Sequence, residues 1–163
     1  MPNKKRILVI GSPGAGKSTL ATQLSCHYQL PLVRLDELQW EQKTVVARSI
    51  FNKRLEQVLQ QSAWVIDGNY QASLRQRLEK ADLVIWLQVP RIICCYRVVK
   101  RYLTYRGLEN PLGNPDLFER AFLRYVWNFP KHNDLKISAL LTEFAGDIEV
   151  QRIRRNQTKH LFE

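Results

Sequence analysis

The chain has 163 residues, 45% of them hydrophobic and 25% charged, which are the proportions of one globular domain and exclude a disordered chain. No apolar run approaches the roughly 18–20 residues of a membrane-spanning helix, so no membrane role is expected. The net charge is +10, and its surplus sits in two places: residues 1–30 hold four Lys/Arg and no acid, and residues 91–136 hold nine against four.

In chain order, Arg6–Ile10 is a short apolar run with the β-branched content of a buried strand. Gly11-Ser12-Pro13-Gly14-Ala15-Gly16-Lys17-Ser18-Thr19 follows, and behind it Leu20 and Leu24 lie four apart on one helical face. Leu32–Leu35 reads as a second strand ending at Asp36, and Ser49–Gln61 as a helix whose Ile50, Leu55, Val58 and Leu59 share an apolar face. Ala63–Ile66 is a third strand, closed by Asp67-Gly68, and Gln71–Lys80 is a polar helix. Leu83–Leu87 is a fourth strand, after which Pro90 opens a helix from Ile92 to Tyr105. Gly107–Pro115, rich in Gly, Pro and Asn, is a surface loop. Helices follow over about Asp116–Trp127, ended or kinked at Pro130, and over Leu135–Phe144. Ile148–Ile153 alternates in the manner of an edge strand, and Gln157–Phe162 forms a closing helical turn. Strands alternating with helices predict an α/β fold with a parallel sheet covered on both faces. Its ligand belongs beyond the carboxyl ends of the strands, where Gly11, Asp36 and Asp67 fall.

The stretch Gly11–Thr19 carries the spacing G-x-x-x-x-G-K-[ST] between strand and helix. Gly11, Gly14 and Gly16 let the chain wrap closely around an anion, with Ala15 between them, and successive N–H groups and the helix N-terminus then favour negative charge. Lys17 would reach the β- and γ-phosphates, and the Ser18 hydroxyl would ligate Mg²⁺. This predicts a nucleoside-triphosphate site. Asp67, between an apolar strand and Gly68, stands where an aspartate holds Mg²⁺ or its waters, the other reading being a helix-capping acid. Arg97 and Arg101 are four apart on one predicted helix, as are Arg120 and Arg124 on the next, with Arg106 between; they serve phosphates or form a solvated basic face. Trp40 and Tyr70 line a pocket or belong to the core.

Cys26, Cys94 and Cys95 lack metal-ligand spacing, and His27, His132 and His160 form no cluster, so neither a zinc site nor a nucleophilic triad is expected. The basic opening Met1–Arg6 runs at once into strand and phosphate loop, and unpaired thiols suit a reducing compartment, so a cytoplasmic location is expected.

Gly11–Thr19 resembles the phosphate loop of adenylate-kinase-like P-loop kinases. Leu35-Asp36-Glu37-Leu38-Gln39-Trp40, Trp64-Val65-Ile66-Asp67-Gly68-Asn69-Tyr70 and Tyr125-Val126-Trp127-Asn128-Phe129-Pro130, in that order, resemble the DNA topology modulation proteins, a branch of the same superfamily, over nearly the whole chain. The resemblance implies a single three-layer domain with a five-stranded parallel sheet, helices on both faces and a lid over about residues 102–117. It also implies ATP and Mg²⁺ as ligands and phosphoryl transfer to a small-molecule acceptor, which it does not identify. The alternative is a nucleotide-binding regulatory module that associates with nucleic acid without robust turnover. If the arginines converge on triphosphate, nucleic-acid binding is expected to be weak and steeply salt-dependent.

Among such relatives, an acid in the region of Asp36 faces the metal or acceptor hydroxyl, so Asp36 leans toward a hydroxyl acceptor, with helix capping as the other reading. Adenylate kinases follow a similar Asp-Gly pair with Phe-Pro-Arg; here Asn69-Tyr70-Gln71 follows, which lacks the acceptor-phosphate arginine. By position, Arg97 resembles the adenine-side arginine, Arg101 the phosphate-side one, and Arg155-Asn156 the segment at the adenine edge, with Arg120 a further catalytic candidate.

Overall fold

The computed structural model describes residues 4–41, 44–105, 120–154 and 161–162. In chain order the elements are β1 (Arg6–Gly11), α1 (Lys17–Tyr28), β2 (Leu32–Arg34), α2 (Leu35–Gln39), β3 (Trp40–Glu41), β4 (Thr44–Val45), α3 (Arg48–Leu59), β5 (Trp64–Asp67), α4 (Leu74–Leu78), β6 (Leu83–Leu87), α5 (Arg91–Tyr105), α6 (Arg120–Phe129), α7 (Leu135–Glu143) and β7 (Glu149–Ile153). The expected parallel sheet is present, with five strands in the order β2-β5-β1-β6-β7.

The central strands are apolar throughout because both of their faces are covered. Along β1, Leu8 and Ile10 enter one core with Leu55, Leu59, Ile66, Leu78, Trp86 and Leu141, so α3, α4 and α7 cover that face. Ile7 and Val9 point the other way, into a core with Leu20, Leu24, Ile85, Cys94 and Val98, so α1 and α5 cover the second face. Helix α6 gives Val126 to the second core and Phe129 to the first, so it passes from one layer to the other. The register sets Asp67 beside Val9 on one side and Arg34 on the other. The chain thus leaves β1 toward β2 and later returns across it to β6, which puts the loop after β1 at the switch point of the sheet.

Several local expectations are corrected. Strand β2 stops at Arg34, and Leu35–Gln39 is helical, so Asp36 lies in the first turn of α2 instead of at a strand end. The reason is tertiary: Leu35 is fully buried, and its side chain closes on Gly68. Ile50 is 45% exposed, and Phe51 takes the core position assigned to it. The helix expected over 71–80 is a 3₁₀ turn, Gln71–Ser73, followed by the short α4, whose Leu74, Arg77 and Leu78 are buried. Helix α6 ends at Phe129, before Pro130 as expected, but the helical path goes on: a π-helical turn, Pro130–Asp134, joins α6 to α7. The β3–β4 hairpin was not anticipated.

The expectations for Arg106, Gly107–Pro115, the start of the helix at Asp116, Arg155, Asn156 and the turn over residues 157–160 lie outside the described residues. Among the described residues no helix is long and apolar enough to cross a membrane.

Candidate functional site

The loop between β1 and α1 closes on itself through Ala15 N–H donating to the Ser12 carbonyl at 3.0 Å, and α1 begins with Leu20 N–H donating to Gly16 at 3.1 Å. Two glycines bring this loop against its neighbours. At Gly11 a Cβ would stand 2.5 Å from the Leu87 carbonyl oxygen, and at Gly14, with φ +78°, 2.5 Å from that of Cys94 on α5. Gly14→Ala is therefore expected to destabilise the fold by about 1–3 kcal/mol from backbone strain alone, with the Cys94 contact adding to it. Scanning calorimetry would show this as a lower melting midpoint, and an unchanged midpoint would refute the packing argument.

Three side chains hold the loop from inside. Lys17 Nζ donates to the Ser12 carbonyl at 3.0 Å, spanning the ring. Arg97 Nη1 donates to the Ala15 carbonyl at 2.9 Å. Asn69, from the turn after β5, accepts the Gly11 N–H at 3.0 Å and donates Nδ2 to the Gly11 carbonyl at 2.6 Å. Ala15 is buried, Ser18 half-buried and Thr19 exposed on the first turn of α1.

Burial pushes the Lys17 ammonium below the ordinary lysine range; Asp67 and then Asp36 oppose that shift, while Arg101 adds to it. Burial raises the Asp67 carboxyl, against the pull of a hydrogen bond from Ser18 and the charge of Lys17. These shifts place Lys17, Ser18, Asp67, Asp36 and Arg101 in one electrostatic neighbourhood. The Asp67 Oδ1 atom is buried and has no hydrogen-bond partner among the described residues. An orphaned carboxylate oxygen beside a serine hydroxyl and a lysine fits a hard cation that draws its other ligands from water and phosphate, as Mg²⁺ does. Among the described residues no three His, Cys, Asp or Glu cluster, which leaves no denser metal cage.

Beyond Asp67, the Tyr70 hydroxyl donates to Asp36 Oδ1 at 2.7 Å. Tyr70 stacks on Phe51 with centroids 5.4 Å apart and stands at φ +20°, an unusual backbone angle for a tyrosine. Burial first, and the bond to Asp36 second, raise its phenol well above the usual range, so it remains a donor. Trp40 is half-buried in the small hairpin. Arg34, which the sequence did not single out, bonds to Glu37 at 2.9 Å and contributes positive charge at Asp67.

The arginines divide. Arg97 is anchored to the loop and Arg101 acts on Lys17, whereas Arg120 and Arg124 stand exposed on α6, with nothing in the described geometry bringing them to Lys17. A cleft of about 530 Å³ opens on the β6 side of the loop, between Ser12, Pro90, Arg91, Pro130, Asp134 and Arg154. Asp36 and Tyr70 do not line it.

No protein-family profile matches the chain, and no curated protein matches it. Solved structures do. A shikimate kinase from Acinetobacter baumannii, in complex with shikimate, is similar with a TM-score of 0.61 at 20% identity, over 99% of this chain and 90% of that one. A shikimate kinase from Bacteroides thetaiotaomicron is similar with a TM-score of 0.57 at 18% identity, over 96% of this chain and 89% of that one. The fold is that of the P-loop kinases to which these structures belong.

Proposed function

We propose that the protein is a kinase that transfers the γ-phosphoryl group of Mg·ATP to a hydroxyl group of a small molecule. The observation that carries this reading is Asp36: a carboxylate fixed by Tyr70 at 2.7 Å, standing in the same electrostatic neighbourhood as Lys17 and Asp67. An acceptor that is already a phosphate needs no base, whereas an alcohol gains from a carboxylate that orients it and takes its proton. The kinase fold of the solved neighbours supports the reaction class.

In this reading the loop N–H groups and Lys17 bind the β- and γ-phosphates. Ser18 and Asp67 would hold Mg²⁺, which when bound neutralises charge on the phosphate oxygens. With one Asp36 oxygen engaged by Tyr70, the other is left to accept the acceptor hydroxyl. The bond from the γ-phosphorus to its bridging oxygen breaks, the acceptor oxygen bonds to that phosphorus, its proton passes to Asp36 and ADP leaves. Arg97 keeps the loop in shape, Arg101 is assigned to the transferring phosphates and Arg155 to the adenine edge, and the exposed Arg120 is given no part in the chemistry. Because Arg97 and Arg101 both act at the loop, the basic surplus of α5 is directed toward nucleotide more than toward nucleic acid. Three sequence segments link the chain to the topology modulation branch, and that link names no acceptor.

A thermal-shift screen of sugars, polyol acids (shikimate among them), nucleosides and nucleotides, with a non-hydrolysable ATP analogue and Mg²⁺, would identify the acceptor. For a hydroxyl acceptor found in this way, Asp36→Asn is expected to lower kcat by about 10²–10⁴-fold with little change in KM. An unchanged kcat would remove Asp36 from the chemistry, and an acceptor phosphorylated on phosphate would replace the hydroxyl assignment.

A further inference from the structure

Arg77 has no exposed surface, and among the described residues its hydrogen bonds all go to main-chain carbonyls. Nε donates to Ser73 at 3.3 Å, Nη1 to Gly68 at 2.9 Å, and Nη2 to both Asn69 and Tyr70, the latter at 2.9 Å. Four of the five guanidinium N–H donors are thus committed to one short stretch of backbone. Burial alone lowers its pKa, to about 9, so the side chain is charged at neutral pH, and no carboxylate among the described residues compensates it.

That arrangement is expensive as architecture. An enclosed guanidinium with only dipoles for partners carries a desolvation cost that an apolar side chain between Leu74 and Leu78 would avoid. What it accomplishes is local: it fixes three consecutive carbonyls of the turn that follows Asp67. Asp67 and two residues of that turn each act on a different part of the site. Asp67 presents the orphaned oxygen, Asn69 clasps Gly11 at both its N–H and its carbonyl, and Tyr70 holds Asp36.

We propose that Arg77 is a positioning residue: it holds the 67–70 turn in the one conformation that sets Asp67, the phosphate loop and Asp36 in mutual register. This rests on the reading of Asp67 as the residue that holds Mg²⁺. The charged guanidinium does for the turn what a hydrogen-bonding partner behind a metal ligand does for that ligand, fixing the direction in which the carboxylate points. It touches neither nucleotide nor acceptor.

Calorimetric titration of ATP, once with Mg²⁺ and once with chelator, gives a ratio of affinities that reports on Asp67 and is insensitive to a uniform loss of stability. In Arg77→Met that ratio is expected to fall at least about tenfold below the parent's, and Arg77→Lys, which keeps the charge and some donors, is expected to recover part of it. Thermal melts of both variants record the structural cost separately. If Arg77→Met does not fold, the ratio is read from Arg77→Lys, which should then fall about three- to tenfold below the parent. A folded variant with a lowered melting midpoint and the parent's ratio would overturn the proposal, reducing Arg77 to scaffolding. A parent chain that binds ATP equally with and without Mg²⁺ would instead overturn the metal assignment of Asp67, whatever the variants did.

Discussion

Lys17→Met is expected to lower turnover by about 10²–10³-fold, the loss seen when one preorganised charge is removed from a transferring group. It should also weaken Mg·ATP binding by roughly 1.5–3 kcal/mol, the worth of one charge-assisted contact. Methionine keeps the aliphatic length of the side chain, so the comparison isolates the charge. In the parent the ammonium reaches across the loop to the Ser12 carbonyl and is depressed by burial, with Asp67 and Asp36 as its counter-charges. A lysine whose folded pKa lies below its unfolded value of 10.5 costs the fold stability at every pH below the folded value, and the cost disappears as pH rises toward 10.5. The metal- and nucleotide-free Lys17→Met protein should therefore be at least as stable as the parent near neutral pH, with the difference shrinking in alkali. Calorimetry and turnover measured on the same preparations test both halves. Equal Mg·ATP affinities would overturn the phosphate-loop assignment.

The sequence announces this loop clearly because everything that makes it is local: an apolar strand, three glycines, then Lys17 and Ser18 at a helix start. Strand β6 is equally legible, since five apolar residues in a row have nowhere to go but a sheet buried on both faces. What supports the loop is not local. The clasp of Asn69 on Gly11 joins residues 58 apart, and no pattern of residue types signals a side-chain amide that reads one backbone unit. Arg77 sits in a run of polar residues that reads as a solvated helix. Its only trace is a position between Leu74 and Leu78 on the buried stripe, where a basic side chain is out of place. Leu35 looks like one more strand residue until Gly68 provides a site with no Cβ for it to fill, and the helix that follows moves Asp36 off the strand. At Pro130 the rule that proline stops a helix gives way to a wider turn with the proline at its first position. Arg120 and Arg124, equivalent to Arg97 and Arg101 by spacing, part from them because helix packing, and not spacing, decides which face meets the loop.

Asp67→Asn should abolish the Mg²⁺ dependence of nucleotide binding and lower turnover at least about 10²-fold with any acceptor, while making the empty protein more stable. The two effects have one cause. Asp67 ends β5 with Val9 and Arg34 as register neighbours, and one of its oxygens has no hydrogen-bond partner among the described residues. Burial outweighs the help of Ser18 and Lys17, so its folded pKa lies above the unfolded value of 3.8. A carboxyl shifted upward favours folding only while protonated; that contribution is complete at pH below the unfolded value and is lost as pH rises through the folded one. At neutral pH the ionised form is therefore a net cost to the fold, with the attraction of Lys17 already counted. Asparagine has nearly the same shape and no charge, so it removes that cost. The melting midpoint of the metal-free variant should exceed the parent's at neutral pH, and the gap should close as pH falls below 3.8. Adding Mg²⁺ and an ATP analogue should reverse the order, because only the parent can pair its buried, unpartnered carboxylate charge with a bound cation. A variant less stable than the parent without ligand, and raised equally by ligand, would mean that Asp67 is a structural acid and that the cation, if any, is held elsewhere.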